Sequence, residues 1–159
     1  MTQEFSAKEA FDNVAEQMRT KAQAKDDLII VQVDAADRIY ADYDRFIQIM
    51  VNLTQNAIQF TKNGTITLSS FPDGDQQIIQ VKDTGIGIEK KDITSIWERF
   101  YKVDVSRKNT KFGESGIGLA VVQSLVMNHK GTIDVESNPG EGTTFTIALP
   151  TKAGLEENS

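Results

Sequence analysis

The sequence predicts an α/β fold: a two-layer α/β sandwich in which helices cover one face of a mixed, mostly antiparallel sheet. Three observations lead there. The elements run helix, strand, helix, hairpin, short helix and loop, helix, hairpin. The two hairpins make most of the sheet antiparallel. The long helices do not alternate with strands in the strict rhythm of a βαβ protein, so they are expected to segregate to one face. A chain of 159 residues is one domain's worth.

The elements can be justified in turn. Ser6-Ala7-Lys8-Glu9 has the form of a capping box, in which hydroxyl and carboxylate close the orphan amides of a first helical turn. A helix follows to about Ala24, with Phe11, Val14, Ala15 and Met18 as its apolar stripe. Leu28 to Val33 is a short β-branched run, read as a strand. The stretch Asp34–Asp42 reads as a loop ending in the N-cap Asp42. Asp44–Thr61 is the central helix. Phe46, Met50, Leu53, Ala57 and Phe60 form one stripe, and Ile47, Val51, Thr54 and Ile58 the stripe beside it. Its other side carries only amides: Gln48, Asn52, Gln55, Asn56 and Gln59. Strands at 65–69 and 76–82 flank the turn Pro72-Asp73-Gly74-Asp75. Asp92 is placed to cap a short helix through Arg99. The polar stretch 101–115 reads as a long loop, Gly116–His129 as an amphipathic helix stopped by Lys130-Gly131, and 132–137 with 143–149 as a closing hairpin. The tail from Thr151 is polar and expected to be loose. This divides the chain into a lead-in helix over 1–25, a main domain over 26–150 and a tail over 151–159.

Composition excludes several functions. The chain has no cysteine, which removes disulfides, thiolate metal sites and cysteine nucleophiles. A net charge of −6 without a basic cluster makes nucleic acid an unsuitable partner. No apolar run approaches the ~20 residues of a membrane span, and the first residues lack the features of a signal peptide.

Three local patterns could carry chemistry, and each also has a plainer reading. Asn52 and Asn56 lie one turn apart and can reach a common object. Their amides can ligate a hard cation or donate to phosphate, or they can simply face water. Asp83-Thr84-Gly85-Ile86-Gly87 leaves a strand end. It is either a tight turn or a place where a ligand approaches the backbone beside a carboxylate able to accept from an amine. Gly113-Glu114-Ser115-Gly116-Ile117-Gly118-Leu119 opens a helix, where free amides and the dipole favour an anion, or it is a hinge. The lone His129, at a helix end beside Lys130, reads as a capping residue.

Taken together and in this order, the motifs resemble the catalytic and ATP-binding domain of bacterial sensor histidine kinases, within the ATPase group that also holds gyrase, Hsp90 and MutL. The asparagine box is matched by NLTQNAIQFT (52–61), the first glycine box by DTGIGI (83–88), the phenylalanine box by IWERFYKVD (96–104) and the second glycine box by GESGIGLAVV (113–122). The resemblance implies a Bergerat-type sandwich with ATP under a flexible lid. It implies that Asn56 ligates Mg2+ and that Asn52 acts beside it near the γ-phosphate. Asp83 would accept from adenine N6, with Gly85 and Gly87 shaping the floor. Phe60 occupies the aromatic position near the nucleotide, and Gln59 stands where the family usually has a phosphate-contacting Lys. Tyr101 and Lys102 belong to the lid, and Lys102, with Asn52, is a candidate for acting on the transferred phosphoryl. Gly116 and Gly118 would let helix amides bind phosphate. Ile86, Ile88, Gly113, Ser115, Ile117, Leu119 and Thr143 complete the nucleotide-contacting set.

The implied activity is transfer of the ATP γ-phosphoryl to a histidine on a separate dimerisation and phosphoacceptor hairpin, and onward to a response regulator. Nothing in the chain looks like that hairpin, so the sequence reads as the ATP-binding half of a longer kinase. As such it is expected to be monomeric, cytoplasmic, free of membrane contact and unable to label itself. Two other readings stand beside it: a nucleotide-sensing module without phosphotransfer, suggested by Gln59 and Glu114, and a hydrolytic ATPase. The hydrolytic enzymes carry a Glu base where Asn52 stands, and an amide cannot take a proton from water.

Overall fold

The computed structural model describes residues 1–98 and 119–157. Its elements are β1 (Thr2–Ser6), α1 (Ala7–Ala24), β2 (Leu28–Val33), β3 (Arg38–Asp42), α2 (Tyr43–Gln59), β4 (Thr65–Asp73), β5 (Gln76–Asp83), α3 (Ala120–Asn128), β6 (Thr132–Asn138), β7 (Gly142–Pro150) and α4 (Lys152–Glu157). Five strands form the main sheet in the order β2-β4-β5-β7-β6. The β2–β4 pair is parallel and the other three pairs are antiparallel. This is the mixed, mostly antiparallel sheet expected.

Period-two alternation decides which side of the sheet is buried. On β7 the buried residues are Thr143, Phe145, Ile147 and Leu149. Their partners across the ladder are Asp83, Val81, Ile79 and Gln77. Helices α1, α2 and α3 cover this face. The other face is polar, with Gln80 donating to the Thr146 hydroxyl (3.2 Å). One apolar cluster runs from Ala7 on α1 through Phe46, Met50 and Leu53 on α2 to Val122 on α3 and Ile147 on β7. The predicted stripe of α1 is buried as expected. On α2 the buried set is Phe46, Ile49, Met50, Leu53, Thr54, Ala57 and Ile58. Ile49 thus joins the core from outside the predicted stripes, while Ile47 and Val51 sit at its margin.

The caps read from sequence are in place. Ser6 Oγ accepts from the Glu9 amide (3.2 Å) and Asp42 Oδ1 from the Arg45 amide (3.2 Å). His129 is structural, as its position suggested. It contacts the Leu125 carbonyl through Nδ1 (2.8 Å), and Nε2 accepts from the Asp42 amide (3.1 Å). Both bonds are satisfied by the neutral Nδ1–H tautomer, and together they tie the end of α3 to the start of α2.

Three expectations need correction. The stretch ending at Asp42 is not all loop, because β3 pairs with β1 as a separate antiparallel ribbon. Alternating Ile39 and Ala41 are almost fully buried there, but the partner strand lies some thirty-five residues away and leaves no local sign. The predicted helix after Asp92 is instead two 3₁₀ turns, Lys90–Asp92 and Ser95–Trp97, with Asp92 inside the first and making no side-chain cap. Ile93, Thr94, Ser95 and Ile96 are poor helix formers, and the tighter turn sends Ile96 fully into the core. Of the helix predicted over Gly116–His129, Ala120–Asn128 is helical, and Gly116, Ile117 and Gly118 lie outside the described residues. The tail carries α4, whose start is held by Thr151 donating through N and Oγ1 to the Asp75 carbonyl (2.8 and 3.1 Å).

Candidate functional site

At one end of the sheet, between α2 and the ends of β5 and β7, lies a small cleft lined by Asn56, Ala57, Phe60, Asp83, Gly87, Ile88, Thr143 and Phe145. Each wall follows from an element already described. Asn56 and Phe60 are four apart and share a helix face. Asp83 and Thr143 are direct partners across the β5–β7 ladder, the last pair of the buried row. Alternation puts Asp83 in phase with Ile79 and Val81, so a carboxylate ends an apolar row and points to the core side.

Asp83 is only 7% exposed. Its Oδ1 accepts from the amides of Gly85 (2.9 Å) and Thr143 (3.2 Å). Burial pushes its pKa up to about 6, against the opposing pull of those two amides. The Thr61 hydroxyl lies near enough to favour the ionised form as well, although its geometry falls short of a hydrogen bond. The carboxylate is thus held in place by one oxygen, in a setting where ionisation is costly and a donor aimed at it gains unusual strength.

The glycine turn is shaped by what packs on it. Gly87 has φ +76°, and a Cβ there would meet the Asn138 carbonyl oxygen at 2.1 Å. At Gly85 a Cβ would meet the Phe60 carbonyl oxygen at 2.2 Å, the same oxygen that accepts from the Ile86 amide (3.0 Å). The β6–β7 turn closes from the other side, with the Gly140 amide donating to the Ile86 carbonyl (2.7 Å). Ser137 ties these pieces together. Its hydroxyl accepts from the Ile88 amide (2.7 Å), donates to the Gly142 carbonyl (2.9 Å) and meets Thr143 Oγ1 (2.8 Å). Trp97 packs edge-on against Phe145, with ring centroids 6.1 Å apart.

The structure therefore brings together Asn56, Phe60, Asp83, Gly87, Ile88 and Thr143 from the sequence-derived set. Asn52, one turn before Asn56, is half-buried and outside the cleft lining. Gln59 is also outside it, with its carbonyl taken by Lys25 (2.9 Å). Gly85 stands behind the wall, Ile86 is 45% exposed, and Leu119 is fully buried in the core. Tyr101, Lys102, Gly113, Ser115, Gly116, Ile117 and Gly118 lie outside the described residues. Sequence reasoning missed Ala57, Phe145 and Ser137. Phe145 could have been found from Thr143 by the two-residue strand period. Ser137 carries no local sign, since its role comes from where the β6–β7 turn folds.

Comparison with known proteins settles the family. The profile described as "Histidine kinase-, DNA gyrase B-, and HSP90-like ATPase" matches residues 41–153. The chain belongs to this family. Its relatives place this domain with the ATP-binding catalytic domains of sensor histidine kinases. The domain is 50% identical over 145 residues to the sensor histidine kinase YclK of Bacillus subtilis (strain 168), matching 91% of this chain and 31% of that protein. It thus spans about a third of that relative's length. The catalytic domain of the histidine kinase ThkA shares the fold, with a TM-score of 0.81 at 24% identity over 95% of this chain and 96% of that one. Full-length ShkA, solved in complex with AMPPNP, superposes with a TM-score of 0.82 at 29% identity, over 94% of this chain and 31% of that one. ThkA has also been solved in complex with the response regulator protein TrrA. Among the described residues of the kinase domain, no helix is long and apolar enough to cross a membrane.

Proposed function

We propose that the domain binds Mg-ATP with its base in the Asp83 cleft and delivers the γ-phosphoryl to a histidine on a separate hairpin of its parent kinase, for transfer to a response regulator in the cytoplasm. The observation that carries the reading is the buried Asp83 carboxylate, fixed through one oxygen at the floor of a cleft walled by Phe60, Ile88 and Phe145. An apolar slot ending in an acceptor-only group suits a flat base with an exocyclic amine.

Residues toward a metal can be tested on the donor set present. Among the described residues, no group of three or more His, Asp or Glu gathers to hold a metal. That is compatible with Mg2+, which takes few protein ligands and completes its shell with phosphate oxygens and water. Asn56, half-buried at the cleft wall, is the residue that would hold it through its amide oxygen. Bound there, Mg2+ would neutralise phosphate charge. The protein's own part is positioning: Asp83 and Phe60 fix the base, Asn56 and Asn52 present neutral amides along one line of α2, and Lys102, outside the described residues, is the cation proposed to meet phosphate. Phosphoryl transfer asks mainly for such alignment and charge neutralisation. Asn52 offers no base for water, which disfavours hydrolysis.

The test uses γ-labelled ATP with the domain alone and with the parent's acceptor hairpin. Label is expected on the hairpin only. Stable label on the isolated domain, or release of free phosphate without transfer, would overturn the reading.

A further inference from the structure

A helix leaves its last four carbonyls without intrahelical partners, and a basic residue near its end commonly satisfies them. Helix α2 has no basic residue in its last turn. Local amides meet part of the need, Phe60 donating to the Asn56 carbonyl (3.2 Å) and Thr61 to the Ile58 carbonyl (3.3 Å), and the rest comes from elsewhere in the chain. Lys25, at the C-cap of α1, donates through Nζ to the carbonyls of Ile58 (2.8 Å) and Gln59 (2.9 Å). The next carbonyl, that of Phe60, receives the Ile86 amide of the glycine turn. The last turn of α2 thus has a lysine on two of its oxygens and the cleft's floor on the third.

This contact belongs to a longer seam. The Lys25 carbonyl accepts from the Asn63 amide (3.0 Å), Asp27 Oδ1 from the Gly64 amide (3.0 Å), and the Gly64 carbonyl from the Leu28 amide (2.9 Å). Asp26 and Asn63, one in each turn, both have φ 56°, a region Asp and Asn tolerate better than most residues. Turn 25–28 is therefore stitched along its length to turn 58–64. Slack is small, since Gly85 packs against the Phe60 carbonyl with no room for a Cβ.

We propose that Lys25 is a positioning residue for the nucleotide site. By clamping the last turn of α2 it sets the distance between Phe60 and the Gly85–Ile88 turn, and so the width of the slot that takes the base. The inference rests on the nucleotide-binding reading above. Partial burial lowers the Lys25 pKa, while neighbouring Asp27 acts against that shift. Lys25 does not line the cleft, so its effect passes through Phe60 and Ile86.

The test compares Lys25→Met, which keeps the apolar stem and removes the donors, with Lys25→Arg, which restores a cation. Binding of Mg-ATP and of adenosine is measured by calorimetry at a temperature where each protein is fully folded, and exchange of the Ile86 amide is followed by NMR. Lys25→Met is expected to weaken both ligands on the order of tenfold, as loss of charge-assisted bonds implies. It should also speed Ile86 exchange, and Lys25→Arg should recover most of both. Should Lys25→Met not fold, Lys25→Gln, which keeps a neutral donor, takes its place with a smaller expected loss. Wild-type affinity in a folded variant would overturn the proposal, whatever its melting temperature. A wild-type domain that binds no nucleotide would overturn the function itself and this role with it, which the unsubstituted protein reveals alone.

Discussion

Strand β5 is bracketed by two Asp-Gly turns. At its start stands Asp73-Gly74, and at its end Asp83-Thr84-Gly85-Ile86-Gly87. The residue types are similar, and each turn holds a glycine at positive φ, +61° at Gly74 and +76° at Gly87. Their surroundings differ. Asp73 is exposed, and a Cβ at Gly74 would meet nothing within 4 Å. Asp83 is buried, and a Cβ at Gly87 would strike the Asn138 carbonyl. The first turn only reverses the chain. The second is packed from one side by α2 and from the other by the β6–β7 turn, and that packing holds a carboxylate where water cannot easily reach it. Glycine and aspartate therefore become a candidate site through what the fold presses against them.

The comparison breaks most sharply at the glycines. Gly74→Ala carries backbone strain alone, about 1 kcal/mol. Gly87→Ala adds overpacking against backbone, for a total of roughly 2–5 kcal/mol. Urea unfolding should separate the two variants cleanly. Equal losses would mean that the Asn138 contact is easily relaxed and that the two turns are alike.

The carboxylates come next. Asp83→Asn puts a part-donor amide where an acceptor is required, and ATP and adenosine affinity should fall tenfold or more, about 1.5–3 kcal/mol. Asp73→Asn should leave both unchanged. Stability should move the other way. The Asp83 pKa is raised from 3.8 to about 6, so its contribution to the fold is fully present below about pH 4 and is lost as pH rises through 6. Above that, the ionised group costs on the order of 3 kcal/mol. Asp83→Asn should therefore melt higher than wild type at pH 7, with the difference vanishing below pH 4. Wild-type affinity for adenosine should decline as pH falls below 6, because the acceptor becomes protonated. A destabilised Asp83→Asn, or an affinity flat from pH 7 to 5, would show that the carboxylate serves the fold and not the base.

The smallest effect probes the edge of the site. Gln59 lies three residues beyond Asn56 on α2, yet it does not line the cleft. Gln59→Lys should strengthen ATP and ADP about fivefold, or about 1 kcal/mol, without changing adenosine, and the gain should shrink as salt rises. No change in any of the three titrations would leave phosphate contact to the lid.

Much of this architecture is local and was legible. Helices α1 and α2 announce themselves through apolar spacing and through the caps Ser6 and Asp42, because capping and amphipathicity involve residues within a turn or two. The β4–β5 and β6–β7 hairpins show in alternation and in Asp-Gly and Pro-Gly turns. Four motifs in order were enough to identify the family and to name Asn56, Phe60, Asp83, Gly87 and Ile88. Only the tertiary structure decided the rest. The β1–β3 ribbon, the Ser137 junction, the His129 tie to Asp42 and the Lys25 clamp on α2 each join residues from distant parts of the chain. Their hydrogen bonds are set by where separate elements meet, and the period of no single segment records that meeting. Burial made the same choice between Asp73 and Asp83. The chain writes both as aspartate beside a glycine turn, and the core covers only one of them.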